Sequence, residues 1–399
     1  MRLAVLTSHP IQYYAPLFAH LATRLDLHVF FAHQPSAQQQ ADAGFGTAFN
    51  WDVDLTSGYS HSFLENVAKA PDATRFSGCD TPEIGDRLAE GKFDAVLTLG
   101  WHLKSLLQGV WAAKRQGLPV LVRGDSQLST PRSALKRWGK SVVYPAFLRT
   151  FDAALYVGKR SRAYYEYYSY PSDRLFSSPH CVDTERFHSA ATEEARNTLR
   201  VRLGVEPDVF LILFVGKLVP LKRPLDVIEA ANALRAGGAK AEVMIAGAGE
   251  LDVAMREKAG LLGVPLHSLG FKNQSEMPSV FAAADVLVLP SSQETWGLVC
   301  NEALACGKPI IVSDEVGCAP DLAADGHVGR IYRMGDVDGC AQALTSLLAR
   351  PPSLAEIDKV SSQWTIAAAA EGVLEALART CRQGRSVTRA PAPADRSGV

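Results

Sequence analysis

Glu294 and Glu302, with seven residues between them, are the pair of side chains in this 399-residue sequence best suited to recognise a ligand. They lie in LVLPSSQETWGLVCNEALACGKPI, Leu287 to Ile310: an apolar run, a polar loop holding Glu294, then helical spacing that carries Glu302. An ionised carboxylate only accepts hydrogen bonds, so both residues suit the hydroxyls of a sugar or ribose and repel phosphate. Between them Gly297, Leu298 and Val299 open the helix, whose first N–H groups are unpaired and collectively positive, a setting for a diphosphate or sugar phosphate. Two helix-end glutamates facing solvent are the plain alternative.

Two lysines have a complementary character. Lys217 follows the apolar run Leu211 to Val215, and Lys222 lies five residues on, before Pro224, so both ammonium groups could converge on one diphosphate and stabilise it as a leaving group. Solvated loop lysines would show the same spacing. Gly247 and Gly249 follow another apolar run and fit either a tight turn or a close approach to ligand. In the first half, Gly100-Trp101-His102 and Arg123-Gly124-Asp125-Ser126 each end an apolar run, so Trp101, His102 and Asp125 fall where a parallel sheet presents its functional loops. His9, Gln12 and Tyr13 bring polar side chains to the loop after the first run, whereas Tyr14 and Leu17 at helical spacing could equally be core.

Positioning these groups needs strands, and the chain offers two series. Leu3 to Thr7, Leu27 to Phe31, Ala95 to Leu99, Val120 to Arg123 and Ala154 to Val157 alternate with helical stretches; Leu211 to Val215, Glu242 to Ala246, Leu266 to Leu269, Val286 to Leu289 and Ile310 to Ser313 repeat the theme. That alternation predicts an α/β protein of two doubly wound parallel sheets, with the strand-poor, charged stretch Asp183 to Pro207 as a linker or short helix between them. The expected organisation is a first domain over 1–190, a second over 191–364, a last packed helix over 365–382 and a disordered tail over 383–399, where Pro, Gly and small polar residues dominate. Two such sheets facing each other form a cleft beyond the carboxyl ends of their strands.

The pattern resembles glycosyltransferase family 4. Glu294 and Glu302, followed by Ala303, Gly307 and Pro309, look like the E-x7-E segment of that family; Val215-Gly216-Lys217-Leu218 with Lys222, Ile245 to Gly249, Leu269-Gly270-Phe271 and, more loosely, Pro179 to Asp183 before Phe187 occur in the family's order. The resemblance implies a GT-B fold of two Rossmann-like domains, the first binding acceptor and the second a nucleotide-diphosphate sugar, and a retaining transferase. It implies that Glu302 binds ribose hydroxyls and Glu294 a donor-sugar hydroxyl. The backbone of Thr295, Trp296, Gly297, Leu298 and Val299 would hold sugar and diphosphate, and Gly216, Gly247, Gly249, Gly270 and Phe271 would complete the donor site. Many relatives have a histidine where this sequence has Asp125, so either Asp125 or His102 is expected as the catalytic-site residue, with Lys217, Lys222 and Glu294. The Ser8 to Leu17 loop is similar to a bacterial branch active in surface-polysaccharide or lipopolysaccharide assembly. The acceptor is then a saccharide or lipid-linked sugar, contacted by His9, Gln12, Tyr13, Trp101 and His102.

Composition excludes several other classes. Hydrophobic residues at 47% and charged residues at 21% are those of a soluble globular protein, and no apolar stretch reaches the roughly 20 residues of a membrane span. Seven unpatterned cysteines and no secretory leader pattern lead to the expectation of a cytoplasmic protein with reduced thiols. No cofactor is expected, no acidic pair offers a metal-bridged diphosphate site, and nucleic acid is not an expected partner. Lys104 to Arg162 nevertheless holds twelve Lys/Arg against Asp125 and Asp152, and 131–149 mixes these cations with Leu135, Trp138, Val142, Val143 and Phe147. That segment fits either a buried helix with a charged rim or peripheral contact with an anionic membrane at the inner face, broken at Pro145. A nucleotide-sugar epimerase and a non-catalytic scaffold of the same fold are the rival functions.

Overall fold

A computed structural model describes residues 1–36, 50–129 and 133–387. Two all-parallel sheets dominate it. The first has seven strands, β1 (Arg2–Thr7), β2 (Asp26–Phe31), β3 (Ser60–Phe63), β4 (Ala95–Leu99), β5 (Val120–Gly124), β6 (Ala153–Tyr156) and β7 (Leu175–Ser177), in the order β3-β2-β1-β4-β5-β6-β7. The second has six, β8 (Phe210–Val215), β9 (Ala241–Ala246), β10 (Leu266–Ser268), β11 (Val286–Leu289), β12 (Ile310–Ser313) and β13 (Gly329–Tyr332), ordered β10-β9-β8-β11-β12-β13. The fold class is therefore α/β with two doubly wound sheets.

The central strands are apolar throughout because helices cover both faces. Leu3, Ala4 and Val5 of β1 and Leu211, Ile212, Leu213 and Phe214 of β8 are fully buried. Strand order reverses between β1 and β4 in one sheet and between β8 and β11 in the other, and these switch points are where a doubly wound sheet opens a crevice. The loops leaving the four strands are Ser8 to Tyr14, Gly100 to His102, Gly216 to Lys222 and Ser291 to Gly297. They carry most of the residues singled out in the sequence.

Three strands escape the sequence pattern. β3, β7 and β13 are three or four residues long and lie at sheet edges, where one ladder of bonds suffices and half-exposed residues dilute the apolar signal. The stretch between the sheets is two helices, Thr184–Ala190 and Glu193–Leu203, each begun by a side-chain cap, Asp183 accepting from the Arg186 amide and Thr192 from that of Ala195. Helix Ala134–Leu148 is continuous, contrary to the expected break. Pro145 sits in its last turn, where its missing N–H removes one bond.

The last helix, Ile366–Val387, crosses back to the first sheet, burying Ala369, Ala370, Val373, Ala376 and Leu377 among Leu3, Val5, Phe18 and Leu155. Gly372 allows this: a Cβ there would lie 1.7 Å from the Ser177 carbonyl oxygen. The helix continues five residues into the stretch expected as a tail, and the remainder, 388–399, lies outside the described residues. No described helix is long and apolar enough to cross a membrane.

Candidate functional site

The two switch points face each other across a cleft of about 520 Å³. From the second sheet its lining includes Gly216, Lys217, Lys222, Gly247, Phe271, Glu294, Thr295, Trp296, Gly297, Leu298, Val299 and Glu302; from the first it includes Gln12, Tyr13, Tyr14, Trp51, Asp125 and His180.

The loop carrying Glu294 is held on three sides. Glu294 bridges to Val316, the Gly317 and Cys318 amides donate to the carbonyls of Glu294 and Trp296 at 3.0 and 2.9 Å, and Gln127 reaches across the cleft to donate to the Glu294 carbonyl at 3.0 Å. Gly297 then turns the chain into helix Leu298–Ala305 with φ +93°, and a Cβ there would meet Leu289 at 2.9 Å. Trp296 itself is buried, its indole N–H donating to Asn301 Oδ1 at 2.8 Å and its ring 5.3 Å from that of His180. Only backbone of this segment is thus left to meet a ligand at Trp296.

Lys222 is ion-paired with Glu294. Lys217 stands beside them, and burial, with the nearby Lys222 charge, lowers its ammonium pKa against the opposing pull of Glu294. The cations and the carboxylate form one charged cluster on this wall of the cleft. Gly247 packs so closely on the lysine loop that a Cβ would sit 1.9 Å from the Gly216 carbonyl oxygen.

Glu302 is 2% exposed, and burial pushes its carboxyl up to about 7, against hydrogen bonds from Gln274 and Tyr13 and the charge of Arg186. Gln274 donates to Glu302 at 3.4 Å and is itself held by Arg186, which donates to its side-chain and backbone oxygens at 2.9 and 3.0 Å. Tyr13 comes from the first domain. Its phenol is raised well above the usual range by burial and by Glu302. One hydrogen bond thus joins the two halves at the floor of the cleft.

Opposite the lysines, Asp125 lies 3.9 Å from His180, a residue the sequence reading did not assign. Burial raises the Asp125 carboxyl, but the His180 hydrogen bond and charge, its own amide and Arg123 together bring it below the usual value. His180 is lowered by burial, with Arg123 adding and Asp125 opposing. Buried Arg123 donates to Ser178 Oγ and to the carbonyls of Ser178 and Pro179, tying the end of β5 to the strand-end loop that carries His180.

Several expected residues stand elsewhere. Trp101 packs its ring 5.9 Å from Phe147 and 6.0 Å from Phe151, in the aromatic core beneath helix Ala134–Leu148, because that helix covers the end of β4. His102 and His9 lie behind the cleft lining. Burial lowers both, His9 to about 4 with His33 and His102 adding, so both are neutral at pH 7. Gly249 abuts the Leu218 backbone, a Cβ there lying 2.6 Å from its carbonyl oxygen, and Gly270 accepts from the Gly247 amide at 2.8 Å; both shape turns beside the cleft. Trp51 and Gln274 were not expected, having no motif around them. Asp52 bonds the amide of Ser275 and Asn273 donates to the Asn50 carbonyl, and these contacts place Trp51 at the cleft.

Residues 195–364 match the family described as glycosyl transferases group 1. The second half is a group 1, family 4-type glycosyltransferase domain. A GDP-mannose-dependent alpha-(1-6)-phosphatidylinositol monomannoside mannosyltransferase of Mycolicibacterium smegmatis is 30% identical over 252 residues, 61% of this chain and 63% of that protein. A D-inositol 3-phosphate glycosyltransferase of Mycobacterium sp. (strain KMS) is 32% identical over 184 residues, 43% of this chain and 39% of that one. The chain spans less than two thirds of the length of these relatives. Among solved structures, Anabaena HepE in complex with UDP superimposes with TM-score 0.72 at 15% identity, covering 95% of this chain and all (100%) of that one. WaaG, a glycosyltransferase involved in lipopolysaccharide biosynthesis, does so with TM-score 0.60 at 16% identity, covering 97% and 100%. Both show the fold: this glycosyltransferase domain and its N-terminal companion form the GT-B architecture.

Proposed function

We propose that this protein transfers a sugar from a UDP- or GDP-sugar to a saccharide or lipid-linked acceptor hydroxyl, with retention of anomeric configuration. The observation that carries the reading is the cleft's charge arrangement. Lys217, Lys222 and the Gly297 end of a helix stand on one wall, flanked by Glu294 and Glu302. A nucleoside diphosphate offers the matching pattern of hydroxyls and anionic oxygens.

In this mechanism Glu302 accepts hydrogen bonds from the ribose, and Glu294 accepts one from the donor sugar once the diphosphate has taken Lys222. The two ammonium groups and the helix end stabilise the departing diphosphate, and the acceptor hydroxyl attacks the anomeric carbon from the face the diphosphate leaves. The diphosphate takes up the acceptor's proton. Asp125, held by His180, lies across from the lysines and offsets positive charge developing on the sugar ring. The lysines supply the charge that a divalent ion would otherwise supply, so no metal is required.

The names of the relatives support the donor class: one is GDP-mannose-dependent, and HepE was solved with UDP. A role in cell-surface polysaccharide, lipopolysaccharide or glycolipid synthesis fits such an acceptor, and the six buried cysteine thiols fit a reducing, cytoplasmic setting. Mass spectrometry of purified protein with a panel of UDP- and GDP-sugars, with and without lipid extract, tests the reading. Nucleotide release that needs the extract, persists in chelator and is lost in Glu302→Ala supports it. Conversion of donor without acceptor would replace it with epimerisation, and intact donors throughout with a scaffold.

A further inference from the structure

Beside the nucleotide cleft lies a second cavity of about 390 Å³, within the roughly 300–1,000 Å³ of small-molecule sites. Pro10, Gln34 and Phe63, which stand at the carboxyl ends of β1, β2 and β3, all line it, so it continues the crevice along the same edge of the first sheet. None of the donor-binding residues lines it. Trp51 lines both cavities and stands at their junction.

The walls of this cavity are of two kinds. Trp51, His61 and Phe63 present half-buried ring surfaces, and Gln34, Asp54 and Thr56 present polar groups. A sugar ring has the same two-sided chemistry: C–H groups on its faces pack on an aromatic ring, and the hydroxyls around its rim need hydrogen-bond partners. Trp51 is held from both flanks. The Asn50 carbonyl accepts from Asn273 at 2.7 Å and the Asp52 carboxylate accepts from the Ser275 amide at 3.2 Å, both across the domain boundary. The platform is thus ordered before a ring stacks on it, which lowers the cost of binding.

The charge of the region selects among saccharides. From Leu25 to Ala68 the sequence has no Lys or Arg, yet it holds Asp26, Asp42, Asp52, Asp54 and Glu65. Asp54 is ionised at pH 7, since hydrogen bonds from the Ser57 hydroxyl and from the Thr56 and Ser57 amides hold its carboxyl at about 2. A phosphate in this cavity would meet that carboxylate and, among the described residues lining it, no ammonium or guanidinium to offset the repulsion. A neutral sugar instead brings hydroxyls that donate to Asp54 and Gln34.

We propose that the acceptor is a neutral saccharide of at least two rings, whose terminal sugar enters the nucleotide cleft while the ring before it stacks on Trp51 and occupies the cavity at His61. Its role as acceptor rests on the transferase reading, whereas its binding does not. The test is an array of immobilised neutral mono-, di- and trisaccharides and of monosaccharide phosphates, probed with the full chain in the presence of UDP and GDP. The wild type is expected to bind neutral di- or trisaccharides and not the phosphates. Trp51→Ala and His61→Ala are each expected to lose about tenfold in affinity for those saccharides, with unchanged thermal melts, and His61→Ala is expected to bind nucleotide in calorimetry as the wild type does. A wild type held by the monosaccharide phosphates, or by no neutral saccharide, overturns the proposal, as does a folded Trp51→Ala or His61→Ala that binds like the wild type. Saccharide binding without nucleotide binding would leave this site standing and remove the transferase reading; nucleotide binding without saccharide binding would remove this site alone.

Discussion

Replacing Glu302 by glutamine is expected to stabilise the protein at alkaline pH while weakening its hold on a nucleotide. Burial raises the Glu302 carboxyl to about 7 from the ordinary 4.5. That difference corresponds to about 3 kcal/mol. The sign follows from proton binding: between pH 4.5 and about 7 the folded chain keeps a proton that the unfolded chain has released, so stability falls as pH rises through this window. Glutamine carries no charge to bury and can still accept from Tyr13. The variant should therefore match the wild type near pH 5 and exceed it by about 3 kcal/mol near pH 8, several degrees in the melt of the domain. Nucleotide affinity should move the other way, about tenfold or more weaker, since hydrogen bonds to a charged acceptor contribute about 1.5–3 kcal/mol. Thermal melts from pH 5 to 8 with and without UDP or GDP measure both. Parallel stability curves for wild type and variant would refute the account of Glu302 as a carboxylate whose ionisation the fold opposes.

Lys217→Ala and Lys222→Ala are each expected to lower kcat by about 10²–10³-fold, with no recovery on adding manganese; recovery would mean that a metal can replace the lysines and that the charge account is incomplete. Asp125→Asn and His180→Ala are expected to lower kcat with little change in donor affinity, measured by turnover and titration in parallel. Trp101→Ala is expected to cost about 3 kcal/mol of stability and leave acceptor KM unchanged, because its ring belongs to the aromatic core. A raised KM without a lower melt would return it to the acceptor site.

The sheets were legible because buried parallel strands read as unbroken apolar runs, as in Leu211 to Phe214, and the runs place loops such as Gly216 to Lys222 at their carboxyl ends. Edge strands such as β3 were not, since half-exposed positions in Ser60–Phe63 break the pattern. Glu294, Glu302, Lys217 and Lys222 are brought together from two loops and a helix, as their chemistry suggested. Trp101 and His102 follow a strand end equally well, yet the helix laid over that end takes the tryptophan into the core. Periodicity cannot report which side of a sheet a covering helix occupies. His180 and Gln274 carry no motif of their own; the Pro179 to Asp183 resemblance gave a signal for the first, and only the fold places the second beside Glu302. The pairing of Tyr13 with Glu302 joins residues 289 positions apart on different domains, and no local pattern could have shown it.

Titration calorimetry of UDP and GDP into the wild type and a Lys217→Ala/Lys222→Ala double variant tests the central claim most directly, since it asks whether this cleft holds a nucleoside diphosphate at all. The account predicts that one of the two nucleotides binds the wild type and that the double variant loses about a hundredfold or more in affinity. Equal binding to both proteins, or none to the wild type, would contradict it.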